Sequence, residues 1–420
     1  MMRPLQGLTQ VRLPQWLLPA DWPLEASDLA LANIHFKHGK IQSLVPCKKR
    51  VVDYYDVDGA LALPGLVEPH AHLDKTFTVR RSPATGPGLL NAIGALAKDR
   101  DFWSAEDLAS RAERALLTAA RHGVMTLRTH IDWDQISPPL SWSVIGALSL
   151  PTLTLERVAL IPLTLLSDNR HAQQIAHAVS LSGPGCRLGA FIHSSNWNAC
   201  AMEHLFQWAQ AYHLDLDLHI DEELSRSAQG LSWVIDYLER ETFSGHICCS
   251  HSCALASLDE DEALQQLSRL AAHNVTIIAL PFTNLLLQDA QPKRTPRLRG
   301  ITLVKEAMTK GIPVLFGADN VQDAFCPTGN YDPIETLATA LFTAQLSSPF
   351  DRYSSCIGDL RKLGGVSQHP PLQPGSSANL VIFPGSSVNT WPLNSASRQV
   401  IYQGNLIYQR TLQEELAYEY

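Results

Sequence analysis

The sequence predicts an α/β protein: a (β/α)8 barrel over residues 64–366, with a small β-sandwich domain assembled from residues 1–63 and 367–420. Three observations predict it. Eight short apolar, β-branched runs recur through the middle of the chain, and after the first they begin at intervals of roughly 30 to 40 residues, the length of one strand–helix unit. The segments between them read as helices, and strands alternating with helices give a parallel sheet. The two ends of the chain read as strands and turns alone.

In chain order the runs are LVEPHAH (66–72), VMTLRTHID (124–132), RVALIPLT (157–164), RLGAFIHS (187–194), LDLDLHID (214–221), GHICCSH (245–251), VTIIALP (275–281) and PVLFGAD (313–319). SAEDLASRAERALLTAARHG (104–123) typifies the intervening helices. It opens on a serine cap, carries Glu106 and Asp107 in its first turn and stops at Gly123. At the ends, 28–46 reads as a hairpin around KHGK, and 378–385 and 398–409 as further short strands. GGVSQHPPLQPGSS (364–377) reads as a linker.

Of the 420 residues, 45 % are apolar and 18 % charged, which supports a large core and excludes a disordered chain. A net charge of −8 without a basic tract excludes sequence-independent nucleic-acid binding. No apolar stretch is long enough to predict a membrane span, and the start lacks a secretory apolar region. Eight scattered cysteines without a C-x-x-C pair suit reduced thiols, so a cytoplasmic location is expected.

The chemistry concentrates at the ends of the predicted strands. His70 and His72 in LVEPHAHLDKT point the same way, because side chains alternate along a strand. Two such imidazoles suit a divalent metal, or simply a hydrogen-bonded buried pair. The other strand tips favour the metal. His219, His251 and Asp319 end the fifth, sixth and eighth runs, at the barrel mouth where active sites of such barrels sit. His70, His72, His219 and Asp319 make three nitrogens and one oxygen with room for water, an open catalytic site for one divalent ion: zinc, iron or manganese. Glu222, three residues past His219, can reach a water there without ligating, accept its proton and deliver it onward, although DEE also suits a solvated turn.

Several residues carry two readings. Asp74 and Lys75 orient a ligand or form a local ion pair. His130 and Asp132, on one face with Arg128, touch the site or brace the barrel end. His193, Asn196 and Trp197 line a pocket or pack internally. Asn284 is a candidate pocket donor, while His122, His171 and His273 read as surface or packing residues. CCSHSC (248–253) does not read as a zinc site, because adjacent strand residues face opposite ways. No G-x-S-x-G elbow appears.

LPGLVEPHAHLDKT, LRTHID (127–132), HIDEE (219–223), SHS (250–252), PFTNLLLQ (281–288) and RGITLVKEAMTKGIPVLFGADN (299–320) together resemble, in order, the motifs of the amidohydrolase superfamily, cytosine deaminase-like branch. The resemblance spans nearly the whole chain. It implies that His70, His72, His219 and Asp319 hold one divalent ion. Glu222 would shuttle a proton to a ring nitrogen, His251 would orient the attacking water, and Asp319 would help protonate departing ammonia. The implied reaction is hydrolytic deamination of an amino-substituted nitrogen heterocycle, a small-molecule partner; the family also implies a homo-oligomer.

Three departures alter the pocket. Leu163 matches a glutamine that reads the pyrimidine edge in true cytosine deaminases, Asn320 matches a second aspartate, and Phe325 matches a tryptophan. A site that loses such a donor no longer selects the same polar edge. Other pyrimidines, pterins, triazines and creatinine-like rings stay open. The alternatives are hydrolysis of a cyclic amide or alkylamine C–N bond, and a non-catalytic scaffold, against which the full ligand set stands.

Overall fold

The computed structural model describes residues 3–23, 31–364 and 370–410. Eight parallel strands form one sheet in sequence order: β1 (Leu66–Ala71), β2 (Val124–Asp132), β3 (Thr154–Pro162), β4 (Cys186–Ile192), β5 (Leu216–Ile220), β6 (Ile247–His251), β7 (Val275–Ala279) and β8 (Val314–Phe316). Each falls within or beside one of the eight predicted runs. The sheet curls until its edges meet. Ala71 bridges Asp319, and Asp319 N–H donates to the His70 carbonyl at 2.8 Å. The Glu68 carboxylate completes the seam, accepting from His70 N–H at 3.1 Å and Ala318 N–H at 3.0 Å. A side chain does there what a strand ladder does elsewhere, because β8 is too short to pair along its length.

Helices cover the outside as the pattern requires. α1 (Leu89–Asp99) lies over the barrel mouth, and α2 (Ala105–Arg121) begins at Ser104, whose hydroxyl accepts from Asp107 N–H at 3.2 Å. α2 buries Leu108, Ala112, Ala115 and Ala119, an i, i+4, i+7, i+11 stripe. Among the described residues no helix is long and apolar enough to cross a membrane.

Both ends of the chain join a second, mostly antiparallel sheet of nine strands, which includes Gly7–Arg12, Leu31–Lys37, Lys40–Pro46, Leu61–Pro64, Leu380–Phe383 and Arg398–Tyr402. The predicted terminal strands are present. Residues 28–30 of the hairpin reading, 365–369 of the linker reading and 411–420 lie outside the described residues. The two sheets are sewn together by strands buried on both faces. Leu61, Leu63, Val381 and Phe383 join the barrel core, while their neighbours Ala62, Leu380 and Ile382 join the core of the terminal sheet. Gly65, between Pro64 and Leu66, marks the crossing point: a Cβ there would meet Met125 Sδ at 2.4 Å.

Candidate active site

The strand tips converge at the mouth. His70 lies on β1, and His72 follows it on the same side. The ring nitrogen His70 Nε2 stands 3.0 Å from His219 Nε2, and His219 Nε2 stands 3.1 Å from His72 Nε2. Asp319 Oδ1 is 3.0 Å from His72 Nε2 and 3.4 Å from His70 Nε2. All four side chains are buried. Asp319 reaches this point through a left-handed backbone, φ +62°, which a short carboxylate side chain tolerates better than most. His251 ends β6 in the same conformation, φ +66°.

The protonation pattern favours a cation among these groups. His72 Nδ1 faces the His130 carbonyl at 3.2 Å and must donate to it, so His72 Nε2 presents a lone pair. His70 Nδ1 meets the Ser250 hydroxyl at 2.9 Å. Burial holds His70 at about 3, with the neighbouring His130 adding to the effect, and holds His219 well below the ordinary histidine value. Three imidazoles and a carboxylate whose two oxygens lack hydrogen-bond partners thus face one another. Such a set repels itself unless a positive ion sits among it, and its donor types suit a divalent metal.

Glu222 sits two residues past β5. The turn that aims it is fixed by Asp221, φ +53°, whose carboxylate accepts from Gly230 N–H at 3.0 Å and Leu231 N–H at 2.8 Å. The Gln288 amide donates to the Glu222 carbonyl at 3.1 Å. Glu222 Oε1 has no hydrogen-bond partner, and burial, helped by the Asp319 charge, pushes this carboxyl well above its ordinary value. His251 Nδ1 lies 3.0 Å from Asn284 Nδ2 and 3.5 Å from Glu222 Oε1. The amide can only donate, so His251 Nδ1 accepts and Nε2 carries the hydrogen. Burial keeps the ring neutral, at about 3, and its Nε2 is unpartnered.

A cavity of about 270 Å3 opens above these groups, and His72, His219, Glu222, His251 and Asp319 all line it. Its far wall is apolar, with Leu160, Pro162, Phe191 and Trp133 on one side and Leu89 and Ile93 of α1 as a roof. Asn320 and Phe325 line it too. Leu163 does not: it is fully buried in the barrel core at the first turn after β3, and Leu160 and Pro162 supply the wall in its place. Asn284 is fully buried and acts on His251, outside that wall.

The two-sided readings resolve. Lys75, in the turn past β1, pairs with Asp132 at the tip of β2 at 2.8 Å, while Asp74 accepts from Asp132 N–H at 2.9 Å, so the ion-pair partner of Lys75 is Asp132, with the Asp74 charge beside it. His193, Asn196 and Trp197 stay off the cavity wall, where Phe191 stands. Cys248 and Cys249 belong to different apolar clusters, as opposite-facing neighbours should. The sequence reading missed Arg100, which lines the cavity and bonds Asp132 at 2.7 Å and Asp134 at 2.5 Å. The end of a surface helix carries no periodic signal that would single it out.

Comparison with known proteins returns no matching family model. The chain is 28 % identical over 401 residues to a pterin deaminase of Rhizobium rhizogenes, covering 94 % of this chain and 90 % of that protein. A solved 5-methylcytosine deaminase from Klebsiella pneumoniae superposes with a TM-score of 0.82 at 22 % identity, over 97 % of this chain and 98 % of that one. An N-isopropylammelide isopropylaminohydrolase from Burkholderia multivorans does so with a TM-score of 0.72 at 21 % identity, over 96 % and 98 %.

Proposed function

We propose that the chain is a member of the amidohydrolase superfamily and a metal-dependent hydrolytic deaminase of an amino-substituted nitrogen heterocycle, a reading that its barrel, its converging strand tips and its relatives support. The observation that carries this is the cluster of His70, His72, His219 and Asp319 beside Glu222, with His72, His219, Asp319 and Glu222 all lining one cavity. The pterin deaminase, similar along nearly its whole length, supports a ring amine as the group removed.

The four ligating groups would hold one divalent ion, zinc or iron first and manganese as a further candidate. When bound, that ion supplies a water acidic enough to be deprotonated near neutral pH. The chain's own residues do the rest. Glu222 Oε1 faces the site without a partner and can pass a proton between water and a ring nitrogen. His251, with its hydrogen on Nε2, can direct the attacking oxygen, and Asn284 fixes that tautomer from behind. Asp319, with free acceptor capacity, can take a proton on its way to the leaving amine. Leu89 and Ile93 add apolar surface to the cavity beside the ring. Asn320 and Phe325 take part in holding the substrate; Leu163 and Asn284 act only behind the surface it touches.

The test is amine release from the purified, metal-analysed chain against aminopterins, aminopyrimidines and aminotriazines, with Glu222→Gln as control. Ammonia from one ring class, lost in the variant, is expected. Isopropylamine or a ring-opened acid in place of ammonia would move the chain to C–N hydrolysis of another kind. No product from any ring with the metal site loaded would overturn the deaminase reading.

A further inference from the structure

A second trio, His70, His130 and Asp217, shares His70 with the four ligating groups and has its ligand atoms within 4.8 Å of one another. Taken alone it is a candidate second cation site. Arg128 speaks against that. Its Nη1 donates to Asp217 Oδ2 at 2.6 Å, its Nε donates to Glu156 at 2.9 Å, and its other Nη donates to the Leu363 carbonyl at 2.8 Å. The guanidinium is fully buried and already neutralises Asp217. A divalent ion in the trio would sit beside that fixed positive charge in a low-dielectric interior.

The trio has a different geometry to offer. The His130 ring stacks on the His70 ring, with centroids 3.8 Å apart and planes 23° from parallel. The His130 carbonyl accepts from His72 Nδ1 and so sets the tautomer of that residue. One residue thus touches both members of the H-x-H pair, by its ring and by its backbone. His130 Nε2 in turn stands 3.0 Å from Asp217 Oδ1, a close contact rather than a well-aligned hydrogen bond. The order along the strands explains the stacking. Arg128 and His130 are alternate residues on β2, and Asp217 and His219 are alternate residues on β5, so the two residues of each pair share one face of their strand, one layer apart.

We infer that His130, held in place by Asp217 and Arg128, is a positioning residue that fixes His70 for metal binding, and that the trio is a brace rather than a second metal site. This rests on the metal-dependent reading above. Without the His130 ring, His70 gains room to rotate, and the cluster must be reordered each time an ion binds. Groups that orient metal ligands typically change affinity by about 10- to 100-fold when removed.

The test uses zinc alone, without substrate. Zinc affinity is measured by chelator competition, stoichiometry by metal analysis, and Tm with and without zinc, for the full chain and for H130A, H130F and D217N. One zinc per chain is expected in the unaltered protein. H130A should bind about 10- to 100-fold more weakly, and its zinc-dependent gain in Tm should shrink by more than its metal-free Tm falls. H130F restores a ring against His70 and should recover most of the affinity. D217N, which keeps side-chain size, should bind more weakly than the unaltered chain and carries the test if H130A does not fold. Unaltered affinity in H130A or D217N overturns the brace. Two zinc ions per chain, reduced to one in D217N, would make the trio a metal site after all. No zinc in the unaltered chain under any loading would sink the metal-dependent reading itself, an outcome distinct from a failed brace.

Discussion

Two layers of the barrel interior are equally buried and treat their charges in opposite ways. In the lower layer the Arg128 guanidinium meets Glu156, Asp217, Cys248 and a main-chain carbonyl, and Arg187 shares Glu156 at 3.0 Å. At the mouth, Asp319 leaves both oxygens, Glu222 one oxygen and His251 one ring nitrogen without a hydrogen-bond partner. Burial of a polar atom without a partner costs free energy in the folded chain. In the lower layer Asp217 Oδ1 and both His130 ring nitrogens also lack partners, but neither residue lines the cavity as Asp319, Glu222 and His251 do, so access to a ligand is what separates function from bracing. His130 stands between the layers, touching a ligand above and Asp217 below.

The largest expected effect breaks the upper layer alone. Glu222→Gln should lower kcat by about 10²- to 10⁴-fold, the usual worth of a positioned proton donor, with metal content unchanged. Its metal-free Tm should be no lower than that of the unaltered chain, because the replaced carboxyl is one that burial already disfavours as a charge. Near-normal turnover would remove Glu222 from the proposed proton path.

Arg128→Met should behave in the reverse sense. It leaves Asp217 buried without its cation and Glu156 with Arg187 alone, and breaking a buried pair in this way costs about 3–5 kcal/mol. Urea denaturation of metal-free chains would read this as a lower midpoint with an unchanged slope. A variant as stable as the unaltered chain would erase the distinction between the layers. A smaller effect is expected on the cavity wall. Phe325→Ala should raise KM by about tenfold while kcat moves less, since an apolar contact of this kind is worth about 1–3 kcal/mol to binding. A fall in kcat with KM unchanged would instead tie Phe325 to the reacting geometry.

The upper layer was legible in the sequence because its residues sit at strand tips, where a period of two and a fixed repeat length say which way each side chain points. His70 and His72 share a face whatever the barrel's details. Glu222 was legible by its spacing from His219, yet the device that aims it was not: Asp221 caps a helix nine residues on, which no local pattern announces. The cavity wall was the least legible part. Leu163 lies at the motif position aligned with a pocket residue, but Pro162 ends the strand and a helical turn begins at once, carrying Leu163 into the core and leaving Leu160 and Pro162 on the wall. Arg128 read as one face of a strand with His130 and Asp132; its partners come from β3, β5 and a segment past the barrel, and tertiary pairing of that kind leaves no periodic trace. The terminal sheet was legible as strands, and its double-faced seam follows from the alternation in LALP and LVIF.

The smallest expected effect concerns Asp323, which supports Asn320 on the cavity wall. Its Oδ2 accepts from the Asn320 amide at 2.7 Å, and its Oδ1 accepts from Phe325 N–H at 2.8 Å and Cys326 N–H at 3.1 Å. Burial outweighs these bonds and raises the carboxyl to about 6, whereas in the unfolded chain it titrates near 4. Below about pH 4 both states hold the proton and the group adds no pH dependence. Between about pH 4 and pH 6 the folded chain keeps a proton that the unfolded chain has lost, so its contribution to stability falls as the pH rises, and it levels off above the folded value. Asp221, also raised to about 6 by burial, adds a slope of the same sign and remains in the variant. Asp323→Asn should therefore flatten the metal-free stability curve over that window without levelling it, and the variant should gain on the unaltered chain as the pH is raised from 4 to 7. A difference between the two chains that stays constant over that range would mean that Asp323 is already ionised in the fold, and that Asn320 is held by a charge rather than by a carboxyl still carrying its proton.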